Sequence, residues 1–81
     1  MEIKIRLMGH DLPVAMYSPL QLPDESTIES ALDSYLKSNN VSPDLSELKK
    51  SQFIVNRVHC SVHHVLKGGD ELTVIRYLGG G

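Results

Sequence analysis

The N-terminal segment predicts a strand that buries one of its faces. Residues 2–8, EIKIRLM, alternate strictly between charged and apolar side chains up to Leu7. Successive side chains of a strand point to opposite sides, so this period of two puts Ile3, Ile5 and Leu7 on one face. An apolar sheet face must be buried against a second layer. We therefore expect a sheet that is covered on one side.

The covering layer is predicted after Pro23. Ser26-Thr27-Ile28-Glu29 fits a capping box, in which the Ser hydroxyl and the Glu carboxylate each accept a hydrogen bond from a backbone N–H. Apolar residues then recur at the spacing of an amphipathic helix: Ile28, Ala31, Leu32, Tyr35 and Leu36. Asn39-Asn40 supplies a stop signal, and Pro43 lies beyond it. The sequence predicts one main helix of about three turns.

Four more extended segments complete the predicted sheet. The first pairs with residues 2–8 as a hairpin, through a turn at Gly9-His10-Asp11. Pro19 and Pro23 bracket the crossover to the helix, and residues 41–51 form a polar connection with a helical turn around Leu45 to Leu48. The four segments are Val14 to Tyr17, Phe53 to Val55, Val58 to Val62 and, after the turn signal Lys67-Gly68-Gly69-Asp70, Leu72 to Tyr77. The prediction is an α+β domain with a mixed sheet of four to five strands packed on one helix, with Met16 and Tyr35 in its core.

The two sides of the last strand have different roles in this prediction. Leu72 and Val74 face the helix, and the other side carries Thr73, Ile75 and Tyr77. Ile75, Tyr77 and Leu78 then leave apolar surface exposed, which is typical of a surface that binds a partner. The alternative is that Ile75 lies under a neighbouring loop.

Composition limits the function classes. Eighty-one residues, 41% of them hydrophobic, make one small domain with a thin core. A net charge of −2, with the Lys and Arg residues scattered, argues against nucleic-acid binding. No apolar run approaches the length of about 20 residues that spans a membrane, and the start of the chain lacks signal-peptide character. Cys60 is the single cysteine, so no internal disulfide is expected and the cytoplasm is the simplest location.

Two clusters with possible chemistry are interpreted as structural. Cys60 and His64 share one face of an extended segment while His59 and His63 share the other, so we expect no metal site. A lone cysteine is usually a small buried apolar residue rather than a nucleophile. The acidic pairs Asp24-Glu25 and Asp70-Glu71 fit a helix start and a turn, respectively.

The sequence ends in Gly79-Gly80-Gly81. Glycine has no Cβ, so such a segment fits an extended channel that excludes every side chain. Three extended residues reach at most about 10 Å, enough to carry a terminal carboxylate into another protein's active site. The alternative is a frayed end, since termini are commonly loose. We expect a domain over residues 1–78 and a flexible tail over residues 79–81.

Residues 54–81 resemble one family in the spacing of several short motifs. These motifs are Ile54-Val55-Asn56, Leu66, Gly69-Asp70-Glu71 and the closing Gly80-Gly81. Together with the order of strands and helix, they make the chain similar to the MoaD/ThiS family of ubiquitin-like sulfur carriers, the small subunit of molybdopterin synthase and the thiazole-synthesis carrier. Gly79 stands where these families often place a larger residue, and His59 stands at a position that is apolar and partner-facing in molybdopterin-type carriers.

The resemblance implies a β-grasp fold and chemistry at the C-terminus. Gly81 would carry the carboxylate that a partner adenylates and converts to a thiocarboxylate, while Gly80 and Gly79 thread the partner's active site. Ile75, Tyr77 and Leu78, with His59 and Gly79, would bind that partner. The chain would have no catalytic side chain and no bound cofactor of its own.

The implied partners are three proteins. They are a ubiquitin-activating-type adenylyltransferase that uses ATP and Mg²⁺, a persulfide sulfur donor, and the synthase subunit that accepts the sulfur. The long segment between the first strand and the helix favours the molybdopterin type over the thiamin thiazole type. Two alternatives stay open: a ubiquitin-like modifier that forms isopeptide bonds, and a non-covalent β-grasp interaction module.

Overall fold

The computed structural model describes residues 1–8, 16–39 and 48–75. In chain order, their elements are strands β1 (Glu2–Met8) and β2 (Ser18–Gln21), helix α1 (Ile28–Asn39), and strands β3 (Gln52–Val55), β4 (Val58–Cys60) and β5 (Glu71–Ile75). The strands form one sheet in the order β2-β1-β5-β3-β4. β1 and β5 run parallel, and the other neighbours are antiparallel. The mixed sheet and single main helix are those that the sequence predicts, and their topology is the β-grasp.

The core lies between α1 and one face of the sheet. As the alternation in residues 2–8 predicts, Ile3, Ile5 and Leu7 are buried. Leu72 and Val74 of β5 are fully buried, which confirms the predicted orientation of that strand. The helix, strands β2 and β3, and the loops complete the core with Ile28, Ala31, Leu32, Leu20, Phe53, Val55, Leu22, Leu48 and Leu66.

The start of α1 differs by one residue from the predicted capping box. Thr27 is the N-cap, and its Oγ1 accepts a hydrogen bond from the Ser30 amide at 3.2 Å. The Ser26 hydroxyl instead donates to the Pro23 carbonyl at 2.7 Å. The Glu29 amide donates to the Val62 carbonyl at 3.0 Å, because the loop after β4 packs against the start of the helix. The first helical amides are therefore satisfied by the local Thr27 cap together with tertiary contacts from the loop after β4.

The second strand was also predicted too early. Met16 and Tyr17 precede β2, and Val14 lies outside the described residues. Pro19 belongs to β2 itself, opposite Lys4 of β1. A proline is tolerated there because β2 is an edge strand, whose outward side needs no N–H donor. Met16 is 77% exposed, so its predicted place in the core was wrong.

The other boundaries differ less from the prediction. β4 ends at Cys60, two residues before the predicted end at Val62. The turn at 67–70 is present, with the Asp70 amide donating to the Lys67 carbonyl at 3.1 Å. Tyr35 is partly buried and packs against the core. Several predictions lie outside the described residues: the turn at 9–11, the stop at Asn40, the break at Pro43, the start of the turn at Leu45, and Tyr77 to Gly81.

Candidate functional site

The face of the sheet opposite α1, called the outer face below, carries two of the residues predicted to bind a partner, Ile75 and His59. Directly paired residues of neighbouring strands lie on the same face, so the strand register sorts this face into rows. A terminal row, at the end of β5, contains Met8, Ile75 and Gln52. A central row beside it contains Arg6, Thr73, Ile54 and His59.

The described part of β5 ends at the terminal row. β1 and β5 run parallel and pair Met8 with Ile75, so both strands end at the same edge. Residues 76–81 follow from β5, which lies between β1 and β3 in the middle of the sheet. Ile75 is half-buried and Met8 is 38% exposed, so two of the three residues in the terminal row present apolar surface beside the last described residue of β5.

A tight cluster occupies one end of the central row. The Arg6 Nε donates to the Thr73 Oγ1 at 3.0 Å, and the Tyr17 hydroxyl hydrogen-bonds the same oxygen at 3.1 Å. The Arg6 guanidinium also stacks on the Tyr17 ring, 4.4 Å from its centroid, within the range of a cation–π contact. These two side chains leave Thr73 only 5% exposed, although it lies on the face that the helix does not cover.

The cluster forms one wall of a shallow depression in the outer face. The depression has a volume of about 340 Å³. Its other lining residues are Met8, Ile54, Ile75, Asn56, Arg57 and Glu71. Apolar side chains thus lie between Arg6 on one side and the oppositely charged residues Arg57 and Glu71 on the other.

Of the predicted partner-binding residues, Ile75 and His59 lie within the described part of the chain. Both are on the outer face, Ile75 in the terminal row and His59 at the far end of the central row. His59 is exposed, and its Nε2 lies 3.0 Å from Oε1 of Gln52. Tyr77, Leu78 and the three glycines are outside the described residues.

The motif residues Asn56 and Asp70 meet in a hydrogen-bonded clasp. The Asn56 Nδ2 donates to the Asp70 Oδ1 at 2.9 Å, and the Lys67 amide donates to the other carboxylate oxygen at 2.8 Å. The Glu71 amide donates to the Asn56 Oδ1 at 3.0 Å. The Asp70 carbonyl accepts from the Lys4 amide at 2.8 Å. These hydrogen bonds therefore hold the end of β3 and the Lys4 backbone of β1 against the start of β5.

The hairpin between β3 and β4 explains why an asparagine stands at position 56. Asn56 and Arg57 both have positive φ, 51° and 72°, between the paired residues Val55 and Val58. This is the two-residue loop of a type I′ turn, which favours asparagine at its first position. One residue thus shapes the hairpin and binds the next strand.

Cys60 and the neighbouring histidines do not form a set of metal ligands among the described residues. No set of three or more His, Cys, Asp and Glu side chains there is placed to hold an ion. Cys60 is a free, half-buried thiol whose Sγ lies 3.4 Å from the Val58 carbonyl. Over those same ranges, no helix is long and apolar enough to cross a membrane.

An ion pair on the helix side joins α1 to the segment before β3. The Lys49 ammonium lies against the Glu29 carboxylate. Its hydrogen bond and its charge, with a smaller contribution from the charge of His63, lower the pKa of Glu29 below the usual glutamate value. This pair joins the helix to the turn before β3, and it is remote from the central and terminal rows.

Sequence reasoning predicted the outer face but missed Arg6, Tyr17 and Thr73. The alternation in β1 assigns Arg6 to the face opposite the core, and the pattern of β5 does the same for Thr73. That β1 pairs directly with β5, which brings the two together, is a long-range fact that neither local pattern contains.

Comparisons with known proteins identify the fold. No family model matches the sequence, and no curated protein sequence matches it. The structure is similar to the crystal structure of SAMP1 from Haloferax volcanii, with a TM-score of 0.73 and 18% sequence identity over 100% of both chains. At this identity the likeness establishes the fold, which is a ubiquitin-like β-grasp. Function must be argued from the site, because one fold hosts many functions.

Proposed function

We propose that this protein is a sulfur carrier whose Gly81 carboxylate is adenylated by a partner enzyme and converted to a thiocarboxylate. The observation that carries the proposal is a glycine-only segment joined to the central strand of a ubiquitin-like sheet. Residues 76–81 span at most about 20 Å when extended. A partner seated on the outer face is therefore within reach of the tail.

The chemistry requires activation because a carboxylate is a poor electrophile. A carboxylate oxygen attacks the α-phosphorus of ATP, and pyrophosphate leaves. The terminal sulfur of a persulfide then attacks the acyl carbon and AMP leaves. A thiol reductant cleaves the remaining S–S bond, which releases the thiocarboxylate and a disulfide. ATP, Mg²⁺ and the persulfide belong to partner proteins, and this chain provides the reacting terminus and its orientation.

The outer face is the docking surface in this proposal. Ile75 of the terminal row, with Tyr77 and Leu78 beyond it, supplies apolar contacts, and His59 contributes from β4. Gly79 and Gly80 cross the narrow part of the partner's active site, where a Cβ would not fit. The resemblance to MoaD/ThiS carriers favours cofactor biosynthesis as the destination of the sulfur, molybdopterin before thiamin thiazole.

Intact mass spectrometry tests the proposal. The purified chain is incubated with its adenylating enzyme, ATP, Mg²⁺ and a persulfide donor. Its mass should rise by the difference between one sulfur and one oxygen atom. A variant with one residue added after Gly81 is the matched control and should stay unchanged. An unchanged wild-type mass with an enzyme that hydrolyses ATP would contradict the proposal.

The same experiment in cells separates the carrier from a protein modifier. Conjugates of higher mass that carry this chain on lysine side chains would favour isopeptide bond formation, which uses the same activated carboxylate. The proposal also requires that Gly81 be the last residue of the mature protein. The intact mass of the chain isolated from its own cells measures this directly.

A further inference from the structure

We infer that the cluster of Arg6, Tyr17 and Thr73 recognises a carboxylate on the surface of the adenylating enzyme. This inference rests on the proposed function, because the partner is the enzyme that activates Gly81. It adds a charge-specific contact, on β1, to the apolar docking surface at the end of β5.

The first support is the way in which Arg6 is held. Its Nε is used by Thr73 and its plane is stacked on Tyr17, so the side chain has little freedom left to lose. An arginine carries five N–H donors in a rigid fork. Within the described residues, no acceptor is bonded to the two terminal nitrogens of this fork. Four N–H donors of Arg6 therefore have no acceptor among the described residues, and the contacts with Thr73 and Tyr17 fix their orientation.

The second support is that covering Thr73 does not by itself explain why a rigid arginine stands at position 6. Arg6 and Tyr17 do cover Thr73, which is 5% exposed. The Tyr17 hydroxyl already hydrogen-bonds the Thr73 Oγ1, so an apolar side chain at position 6 would cover this threonine without the cost of ordering a long charged side chain. A guanidinium that is already ordered loses less entropy when it binds a carboxylate, which is the advantage of a preorganised site.

The third support is the charge around Arg6. Of the described residues in the central and terminal rows, Arg6 is the one with a formal charge at neutral pH, while Met8, Ile54 and Ile75 are apolar. The charges of Arg57 and Glu71, on the far rim of the depression, are of opposite sign and largely offset each other. A complementary partner offers a carboxylate beside aliphatic side chains. A bidentate arginine–carboxylate pair also fixes orientation.

The test uses ATP–pyrophosphate exchange by the adenylating enzyme, with this protein as the varied substrate. Three variants change one side chain: Arg6→Glu, Arg6→Gln and Arg6→Lys. The matched control is Lys37→Glu, which reverses a charge that is 77% exposed on α1, on the other side of the sheet. Thermal unfolding of each variant defines a temperature at which all are folded.

We expect Arg6→Glu to raise KM by about 10- to 100-fold, since each 1.4 kcal/mol of lost binding is a factor of ten. The kcat at saturation should stay within about twofold, because Arg6 would contact the surface of the bound enzyme and not the reacting carboxylate of Gly81. Arg6→Lys should fall between wild type and Arg6→Gln, since lysine keeps the charge and loses the fork. The KM of the wild type should rise with salt more steeply than that of Arg6→Gln. Changing the facing acidic residue of the enzyme to lysine should restore Arg6→Glu.

Two results would overturn the inference, and they are distinguishable. If wild type supports exchange and Arg6→Glu has the KM of Lys37→Glu, Arg6 only covers Thr73 and the carrier function stands. If wild type supports no exchange at any concentration, the proposed function fails and the inference fails with it. If Arg6→Glu does not fold, the comparison of Arg6→Gln with Arg6→Lys decides in its place.

Discussion

The clasp between Asn56 and Asp70 predicts a large loss of stability when either side chain is truncated. The Asp70 side chain is largely buried and accepts two hydrogen bonds, from the Asn56 side chain and from the Lys67 amide. Asp70→Ala removes both acceptors. The two donors then keep their desolvation cost without a partner.

The magnitude follows from the number and type of these bonds. A hydrogen bond to a charged group contributes about 1.5–3 kcal/mol, and partial exposure favours the low end. We expect Asp70→Ala to cost about 2–4 kcal/mol. A domain of this size has a total stability of about 4–12 kcal/mol, and each kcal/mol shifts its Tm by about 4–8 °C. The melting temperature should therefore fall by about 8–30 °C. Asp70→Asn keeps one acceptor and should cost about half as much.

The assay is urea unfolding monitored by circular dichroism. Asn56→Gly is measured beside Asp70→Ala as the companion variant. Glycine adopts the φ of 51° at this position without strain, so Asn56→Gly removes the hydrogen bonds of the side chain and leaves the turn intact. The loss in free energy of unfolding for the double variant should be smaller than the sum of the two single losses by about 1–2 kcal/mol, because both single changes remove the same Asn56–Asp70 hydrogen bond. Additivity within about 0.5 kcal/mol, or a cost of Asp70→Ala below about 0.5 kcal/mol, would refute this reasoning.

Three further predictions concern other parts of the fold. Gly69 has a φ of +87° with open space around its Cα, so Gly69→Ala should cost about 1–2 kcal/mol from backbone strain alone. Gly68→Ala, whose added Cβ makes an ordinary contact, should change stability by less than about 0.5 kcal/mol. In the core, Leu32→Ala should cost about 2–5 kcal/mol, whereas Met16→Ala, at a 77% exposed position, should stay within about 0.5 kcal/mol. Because its ion pair lowers the pKa of Glu29 in the folded state, stability from this pair is present at neutral pH and is lost as the pH falls below the usual glutamate pKa. Glu29→Gln should flatten the acid limb of the stability–pH curve, and salt should reduce the difference between the two proteins.

Each of these has a contrary result. Equal stability of the two alanine variants in the 67–70 turn would mean that the positive φ relaxes without cost. Equal costs at Leu32 and Met16 would contradict the assignment of the core to the space under α1. Superimposable pH profiles for Glu29→Gln and wild type at low salt would show that the unfolded chain keeps the same pair.

Local patterns predicted the elements that local forces decide. The alternation in residues 2–8 and the helical spacing after Ile28 both reflect burial of one face, and both were confirmed. The capping box was wrong by one residue because the carbonyls of His64 and Val62 bind the first helical amides. The second strand was displaced because an edge position lets Pro19 take part in pairing. Both errors arise where a tertiary neighbour outweighs a local preference.

The residues of the candidate site also divide into those that local sequence patterns predict and those that depend on long-range pairing. Ile75 was placed on the outer face because a period of two needs no knowledge of pairing. Asn56 and Asp70 were recognised by their spacing in the sequence, and the structure gives the physical reason, a direct hydrogen bond between their side chains. Arg6 and Thr73 are far apart in sequence, and the parallel pairing of β1 with β5 is what brings them into contact. A parallel pair needs a long crossover connection, so no local turn signal predicts its register.

The parallel pairing also places Arg6 of β1 close to the end of β5, from which the C-terminal segment continues in the sequence. Arg6 pairs with Thr73, which is two residues before Ile75 in β5, so the arginine and the start of the tail belong to one rigid part of the sheet. The clasp at the other end of β5 fixes that strand to β3 and β1 before it reaches the outer-face cluster. In the proposed complex, a partner that binds the Arg6 fork is therefore held in a fixed place relative to Ile75, from which residues 76–81 follow in the sequence. In the proposed complex, the domain binds the enzyme first, so the glycines are ordered in a second step within the same complex. That second step is intramolecular, which makes binding of the tail more favourable than it would be for a free peptide.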